Sequence, residues 1–311
     1  KSTNTRKNYA YDLGVFFYFL KTNNPYFKDK DIHTLPIEVL DMITAMDVEE
    51  YLSYLESYTK DGKLYTNREE GKARKLSSLK SFYDYYFKKN LIRTNPPRQV
   101  DVPKIKNKNI IRLDPNEIAQ LLDEAESGEK LSGRQLASHE KTKVRDVAIL
   151  TLLLGTGIRV SECVGLNLED VDFNNGVIRI IRKGGNEALI YFGGEVSQAL
   201  EAYMNGPRKK DEPAAGHEEA LFISLNKTRI TTRSVERLVK KYSRLVTTVK
   251  KITPHKLRST FGTALYQETG DIYLVADTLG HKDVNTTKKH YAAIDEHRRR
   301  MAANVVKLRE S

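Results

Sequence analysis

Thr253-Pro254-His255-Lys256-Leu257-Arg258-Ser259-Thr260-Phe261 is the stretch from which the rest of the chain is read. Leu279-Gly280-His281 follows it, and ten residues beyond His281 comes Tyr291. Pro254 suits the first turn of a helix, where its missing N–H is not needed and its φ is already set. His255 and Arg258, three apart, then project from one face of that helix. Such a helix start offers an anion backbone N–H groups, a positive dipole end and two side-chain donors. A capping histidine and a solvated arginine fit the same spacing. Gly280 is placed to end a helix over Ile272–Leu279 in a left-handed cap, which leaves His281 at the turn. Tyr291 falls on a further helix beside Ala292, Ala293 and Ile294, where a tyrosine serves packing as readily as chemistry.

Two upstream stretches add to this set. Gly155-Thr156-Gly157-Ile158-Arg159-Val160-Ser161-Glu162 puts Arg159 just past a Gly-rich turn where a helix can start. An arginine there can fork two hydrogen bonds onto a phosphate. Paired only with Glu162 at i+3, it would be a surface ion pair of little energetic weight. The alternating runs Val177–Ile181 and Ala188–Phe192 flank Lys183-Gly184-Gly185-Asn186, the pattern of a β-hairpin with a basic tip.

The 311 residues allow two domains, each with its own core. A net charge of +11, spread over both halves, fits a polyanionic partner, because Lys and Arg displace counterions from phosphates. It also fits an ordinary soluble basic protein. The single cysteine, Cys163, excludes an intrachain disulfide and a thiolate-rich zinc site and is read as a small buried hydrophobe. No run approaches the eighteen apolar residues of a membrane span, and no signal peptide is read, so a cytoplasmic protein is expected. The chain opens on Lys1 rather than Met, which leaves room for native residues before it.

In chain order, Ser2-Thr3-Asn4-Thr5 supply cap residues, and Tyr9, Leu13, Phe16, Phe17 and Leu20 recur at helical spacing until Asn23-Asn24-Pro25. Asp47 is expected to cap a helix over Val48–Tyr58, and Gly62 to make a turn. A third helix, about Glu69–Lys89, carries Lys72, Arg74, Lys75 and Lys80 among Leu76, Leu79, Phe82, Tyr83 and Tyr86. Its aromatics can pack inward while its cations meet a phosphate backbone, or the cations can form a solvated face. Residues 1–97 thus read as a small helical bundle, with DNA contact slightly favoured over a solvated basic face. Residues 98–112, with Lys104, Lys106 and Lys108, read as an extended basic linker. A second domain, 113–311, opens with Leu113-Asp114-Pro115. A loop is expected over 127–143, a buried helix over Arg145–Leu154, helices near 195–205 and 231–247, and helix almost unbroken from Pro254 to the end.

The order Arg159, Lys183, His255-x-x-Arg258, His281, Tyr291 resembles the tyrosine recombinase (phage-integrase-like) family. The words Gly-Thr-Gly-Ile-Arg-Val-Ser-Glu, Pro-His-Lys-Leu-Arg-Ser-Thr and Leu-Gly-His match it closely, and the likeness spans nearly the whole chain. It implies a mainly α fold with a small β-sheet: a helical core-binding (SAM-like) N-terminal domain, then a mixed α+β catalytic domain ending in an exchange helix at about 295–308. It implies that Tyr291 attacks a DNA phosphate to form a 3′-phosphotyrosyl bond, a task for which a free phenol is too weak an acid unaided. Arg159, Arg258 and His281 would stabilise the non-bridging oxygens, His255 would move the tyrosine's proton, and Lys183 would protonate the leaving 5′-oxygen. Glu162 matches a position that supports the first arginine or a histidine. Cations take the part of metal ions here, so no cofactor and no metal is expected.

Several departures from the family pattern stand out. Ser259 replaces a frequent histidine, and Asn186-Glu187 lie where a basic residue is common. Arg182 beside Lys183 makes the tip doubly basic, although an arginine holds its proton too tightly to be the acid. The His281–Tyr291 gap is one residue longer than in typical Xer proteins and looks more like integrases of mobile elements. The arm-binding domain of lambda-type integrases is not seen. The partner implied is double-stranded DNA with inverted half-sites, bound by a dimer per site and a tetramer per synapse joined through the C-terminal helix. The biological task is either Xer-type chromosome dimer resolution or mobile-element integration and excision. Two rival readings remain at this level: a type IB topoisomerase-like relaxing enzyme, and a non-catalytic architectural DNA-binding protein.

Overall fold

The structure is a computed structural model that describes residues 3–28, 30–105, 111–182, 185–281 and 284, with His33 described by its backbone alone. The chain divides into two compact units, 1–108 and 109–311.

In the first unit, α1 (Thr3–Asn23), α2 (Ala45–Tyr54) and α3 (Glu69–Lys88) form a small bundle. Phe16 and Leu20 from α1, Val48 and Tyr51 from α2, and Leu76, Leu79 and Tyr83 from α3 make one buried core. Each such side chain contributes about 1.5–3 kcal/mol by leaving water. Phe16 meets Tyr51 edge to face at 5.0 Å.

The second helix begins earlier than expected. Thr44 is its N-cap, and Asp47 is the third residue of a capping box whose carboxylate accepts the Thr44 N–H at 2.8 Å. It also ends earlier, at Tyr54, because the chain turns into a hairpin of β1 (Ser57–Lys60) and β2 (Lys63–Thr66). Asp61 and Gly62 both take positive φ, 50° and 72°, as the two-residue turns of twisted hairpins require. Tyr58 sits opposite Tyr65 with the rings stacked at 5.3 Å, which pins the register.

The basic row of α3 is only partly solvated: Arg74 is exposed and Lys80 half-buried, whereas Lys72 and Lys75 are buried. Lys72 is buried and pairs with Glu56 and Glu69 at 2.9 and 2.8 Å. Lys75 is buried and donates to Asn67 Oδ1, and burial holds its pKa below the ordinary lysine value. Arg74 pairs with the buried carboxylate of Asp12, which also accepts from Ser78 Oγ at 2.8 Å. Lys80 donates to the Val100 carbonyl at 2.8 Å. A lysine both buried and bonded inside a domain is poorly placed to meet a phosphate. The stretch expected as linker from residue 98 also starts later: Pro96–Gln99 form a short helical turn, and Pro96, Pro97 and Val100 are buried against the bundle. Lys104 is exposed, while Lys106 and Lys108 lie outside the described residues.

In the second unit, Asp114 and Glu117 form a capping box that opens α4 (Pro115–Ser127). A helix, α5 (Arg134–Glu140), occupies the span expected as loop. The central element is α6 (Lys143–Thr156), on which Ala148, Ile149, Leu150, Leu152 and Leu153 are all buried. Around it are α7 (Val160–Gly165), an antiparallel sheet of β3 (Val171–Asp172), β4 (Val177–Ile181) and β5 (Glu187–Tyr191) in that order, α8 (Gly194–Tyr203) and α9 (Thr232–Val246). Last come α10 (Pro254–Thr269) and α11 (Ile272–Thr278), which share a small core of Tyr266, Val275 and Leu279. The span 295–308, expected as a helix, lies outside the described residues. Cys163 is fully buried, and desolvation pushes its thiol pKa up to about 12. Among the described residues no helix is long and apolar enough to cross a membrane.

The α5 helix, which the pattern did not show, is held by a buried polar network. Tyr242 donates its hydroxyl hydrogen to Asp146 Oδ2 at 3.0 Å and is bonded to His139 Nδ1 at 3.0 Å. With the tyrosine donating to the carboxylate, Nδ1 carries the histidine proton. Among the described residues Nε2 is buried without a partner, against Gly128, whose missing side chain makes the room. Desolvation, aided by nearby Lys241, holds the His139 pKa below its ordinary value. The folded chain therefore prefers the neutral ring, and the unfolded chain takes up the proton first. Stability present above the unfolded value, about pH 6.5, is lost as pH falls through it. Urea unfolding followed from about pH 7.5 to about pH 5.5 should show a falling midpoint, and His139→Gln should flatten that fall. An identical slope in the variant would show that the ring is not shifted on folding.

Candidate active site

The site is organised by the C-terminal end of α11. Leu279 is its C-cap and Gly280 follows in the left-handed conformation with φ 58°. Gly280 N–H bonds to Asp277 O at 2.8 Å and His281 N–H to Ala276 O at 2.9 Å. These two bonds form a Schellman motif, so the turn carrying His281 is fixed by backbone alone. The next three carbonyls, of Thr278, Leu279 and Gly280, point beyond the motif and need donors from elsewhere. Each receives a guanidinium. Arg182 Nη2 donates to Thr278 O at 3.3 Å, Arg258 Nη2 donates to Leu279 O, and Arg159 Nη2 donates to Gly280 O at 3.3 Å. Cations at a helix C-terminus are favoured by the dipole as well as by the hydrogen bonds.

The three arginines come from three separate elements. Arg159 is the N-cap of α7. Glu162, buried one turn on, accepts both the Arg159 backbone N–H at 2.7 Å and its Nη1 at 2.8 Å. The pair is therefore more than a surface bridge, since one carboxylate orients main chain and guanidinium together. Arg258 lies on α10, one turn past Pro254, and is buried. It also donates to Gly157 O at 2.6 Å, which is the carbonyl exposed by the left-handed end of α6. Arg182 follows β4 on the hairpin. The Gly-Thr-Gly-Ile-Arg word thus acts twice: Gly157 ends α6 and presents an acceptor to Arg258, and Arg159 starts α7.

Close packing fixes the same corner. A methyl added at Gly157 would lie 2.3 Å from Phe261 Cδ1 and 3.0 Å from Leu279 Cδ2. A side chain is excluded there by space as well as by φ of 63°. Thr260 Oγ1 on α10 accepts the Leu113 N–H at 3.0 Å, which ties the start of the unit to the same helix. Arg229 donates to Val164 O and Leu166 O and so closes the end of α7.

Of the residues picked out from sequence, Arg159, Arg258 and the His281 turn are brought together on the α11 terminus, with Glu162 behind Arg159. His255 is exposed on the first turn of α10, on the face it shares with Arg258. Lys183 and Tyr291 lie outside the described residues. Arg182 was recognised from sequence only as extra charge. Its bond to Thr278 O gives it a place in the assembly that no spacing rule could supply, because the acceptor is a backbone carbonyl nearly a hundred residues on. No group of three or more His, Cys, Asp or Glu suited to a metal ion occurs among the described residues.

A model of the phage integrase family matches residues 111–298, a span that contains Arg159, Lys183, His255, Arg258, His281 and Tyr291. Tyrosine recombinase XerC of Syntrophus aciditrophicus is 33% identical over 94% of this chain and 87% of its own length. The XerC of Caldanaerobacter subterraneus subsp. tengcongensis is 33% identical over 98% of this chain and 82% of its own. Among solved structures, XerH site-specific recombinase bound to difH substrate superposes with a TM-score of 0.68 at 21% identity, covering 96% of this chain and 78% of that one. A lambda integrase (75–356) dimer bound to a COC′ core site gives 0.61 at 17% identity, covering 92% and 90%. Those two likenesses show the fold. The chain belongs to the phage integrase family. Its activity is that of a tyrosine-type site-specific recombinase.

Because Phe261 and Leu279 close over Gly157 and its φ is positive, Gly157→Ala should lower the unfolding free energy by about 2–3 kcal/mol through backbone strain and overpacking. Urea titration of the variant checks this, and a change below about 0.5 kcal/mol would mean that the corner is looser than it looks.

Proposed function

We propose that Tyr291 is the nucleophile of this recombinase and that Arg159, Arg258 and His281 hold the phosphate it attacks. The observation that carries the proposal is the gathering of Arg159 and Arg258 on the carbonyls just before His281. A guanidinium carries five N–H groups, so one arginine can be anchored to protein and still present donors to a phosphate. Positive groups fixed before the substrate arrives are not reorganised as charge builds in the transition state.

In this reading the Tyr291 oxygen forms a bond to phosphorus, and the bond to the 5′-oxygen breaks. His255 accepts the phenol proton, and Lys183 donates a proton to the departing 5′-oxygen. The phosphodiester energy stays in the 3′-phosphotyrosyl link. Rejoining reverses each transfer, with a 5′-hydroxyl from another strand attacking and the tyrosine leaving. Two rounds pass through a Holliday junction. Glu162 orients Arg159 and touches no substrate.

The partner is double-stranded DNA carrying inverted half-sites, in a cytoplasmic setting. One protomer occupies each half-site, and two dimers form a tetrameric synapse. Residues 1–97 act as the core-binding domain and 113–311 as the catalytic domain. Lys104, Lys106 and Lys108 contact its backbone, and Arg74 is the α3 cation whose exposure leaves it most able to join them. The segment 295–308, with Met301, Ala302, Val305, Val306 and Leu308 behind three arginines, has the sequence pattern of an exchange helix and docks on a neighbouring protomer.

A nicked suicide duplex from the host locus tests the chemistry. Wild-type protein should form a covalent adduct and Tyr291→Phe none, with DNA binding kept; an adduct that survives the substitution would rule out the assigned nucleophile. Deleting residues 296–311 should abolish cooperative binding to paired half-sites, and unchanged cooperativity would remove the exchange helix from the account.

A further inference from the structure

We infer that Arg182 is a positioning residue for the leaving-group step: it braces the end of β4, the strand that leads to the hairpin lysine, against the C-terminus of α11. The inference rests on the proposed role of Lys183 as the acid.

Three observations carry it. Arg182 Nη2 donates to Thr278 O at 3.3 Å, so a residue at the end of β4 caps the helix that precedes the His281 turn. The guanidinium also lies flat against Gly280: a methyl there would sit 2.2 Å from Arg182 Nη1 and 2.4 Å from its Cζ. Gly280 is therefore required twice, for its φ of 58° and for the space that Arg182 fills. Finally, Arg182 Nε is sealed from solvent without a hydrogen-bond partner among the described residues. A guanidinium packed on backbone with a covered Nε is seated as a brace, unlike a mobile arginine that reaches out to a phosphate.

The consequence follows from chain connectivity. Consecutive Cα atoms are about 3.8 Å apart, so an anchor at residue 182 limits where residue 183 can go. On the other side of the site, Gly280 O takes Arg159 and Leu279 O takes Arg258. One helix terminus thus serves as a common reference for the phosphate-binding arginines and for the strand that delivers the acid. General acid catalysis requires the donor within hydrogen-bonding reach of the leaving oxygen, so a shift of about 1 Å can lower the rate about a hundredfold.

A sulfur substitution separates this role from others. A nicked half-site duplex from the host locus is prepared with the ordinary 5′-bridging oxygen at the cleavage position, or with sulfur there. A thiolate leaves without being protonated, so the sulfur substrate needs no acid. Arg182→Met should lose about 30- to 100-fold in cleavage rate on the oxygen substrate and stay within about threefold of wild type on the sulfur substrate. Arg182→Lys, which keeps the charge but presents a single point donor, should recover part of the loss. Unfolding midpoints and half-site affinity, measured in parallel, should match wild type. Equal losses of Arg182→Met on both substrates would make Arg182 a phosphate or DNA contact, and no loss on oxygen would leave it without a role. Either result overturns the inference. Lys183→Ala is the control for the underlying reading: if sulfur does not restore its activity, Lys183 is not the acid, and the proposed function is revised whatever Arg182 does.

Discussion

A helix that stops inside a protein leaves carbonyls that must find donors. At the end of α11 the Schellman turn satisfies Ala276 and Asp277, and the following three carbonyls are met by Arg182, Arg258 and Arg159. Like charges gathered so closely repel one another, and the carbonyl partial charges offset that repulsion. An anion at the same place would complete the compensation. Structural capping and the proposed phosphate recognition would be two uses of one arrangement, and the strand, the two helices and the Gly157 turn that supply the arginines are held in place by it.

The neighbouring packing serves that terminus. Gly157 has room for no side chain because Phe261 and Leu279 close over it, and its carbonyl is one of the anchors of Arg258. Glu162 is buried behind Arg159 and bonds it through backbone and side chain. Farther off, the Asp146–Tyr242–His139 network fastens α5 and α9 onto α6. The first unit uses its charges in a comparable way: Lys72, Arg74, Lys75 and Lys80 all have partners inside it, so abundance of lysine and arginine is a poor guide to which of them meets DNA.

Much of the site was legible from residue types and order. Pro254 announced the helix that carries Arg258, Gly280 announced the turn that carries His281, and the Val177–Phe192 alternation announced the hairpin. These are local signals, set by φ restrictions and by periodicity, and local signals survive without a structure. What was not legible depends on contacts distant in sequence. Arg182 could be seen as charge but not as a cap, because its acceptor is a backbone oxygen. The α5 helix is short and polar, and its place comes from His139 meeting Tyr242. The β1–β2 hairpin did have a local mark, Asp61-Gly62 between Tyr58 and Tyr65, but its strands are too short for alternation to stand out from a loop. The early start of α2 turned on which member of a capping box, Thr44 or Asp47, is the cap, and the box contains both.

The central claim is that the arginines gathered on the α11 terminus act on the negative charge of one phosphate. Cleavage of a half-site whose scissile phosphate is replaced by an uncharged methylphosphonate measures this most directly. The account predicts that Arg258→Ala loses about a thousandfold on the ordinary phosphodiester but comes within about tenfold of wild type on the methylphosphonate, where there is less charge to stabilise. An equal loss on both substrates would contradict it and leave Arg258 as a structural cap alone.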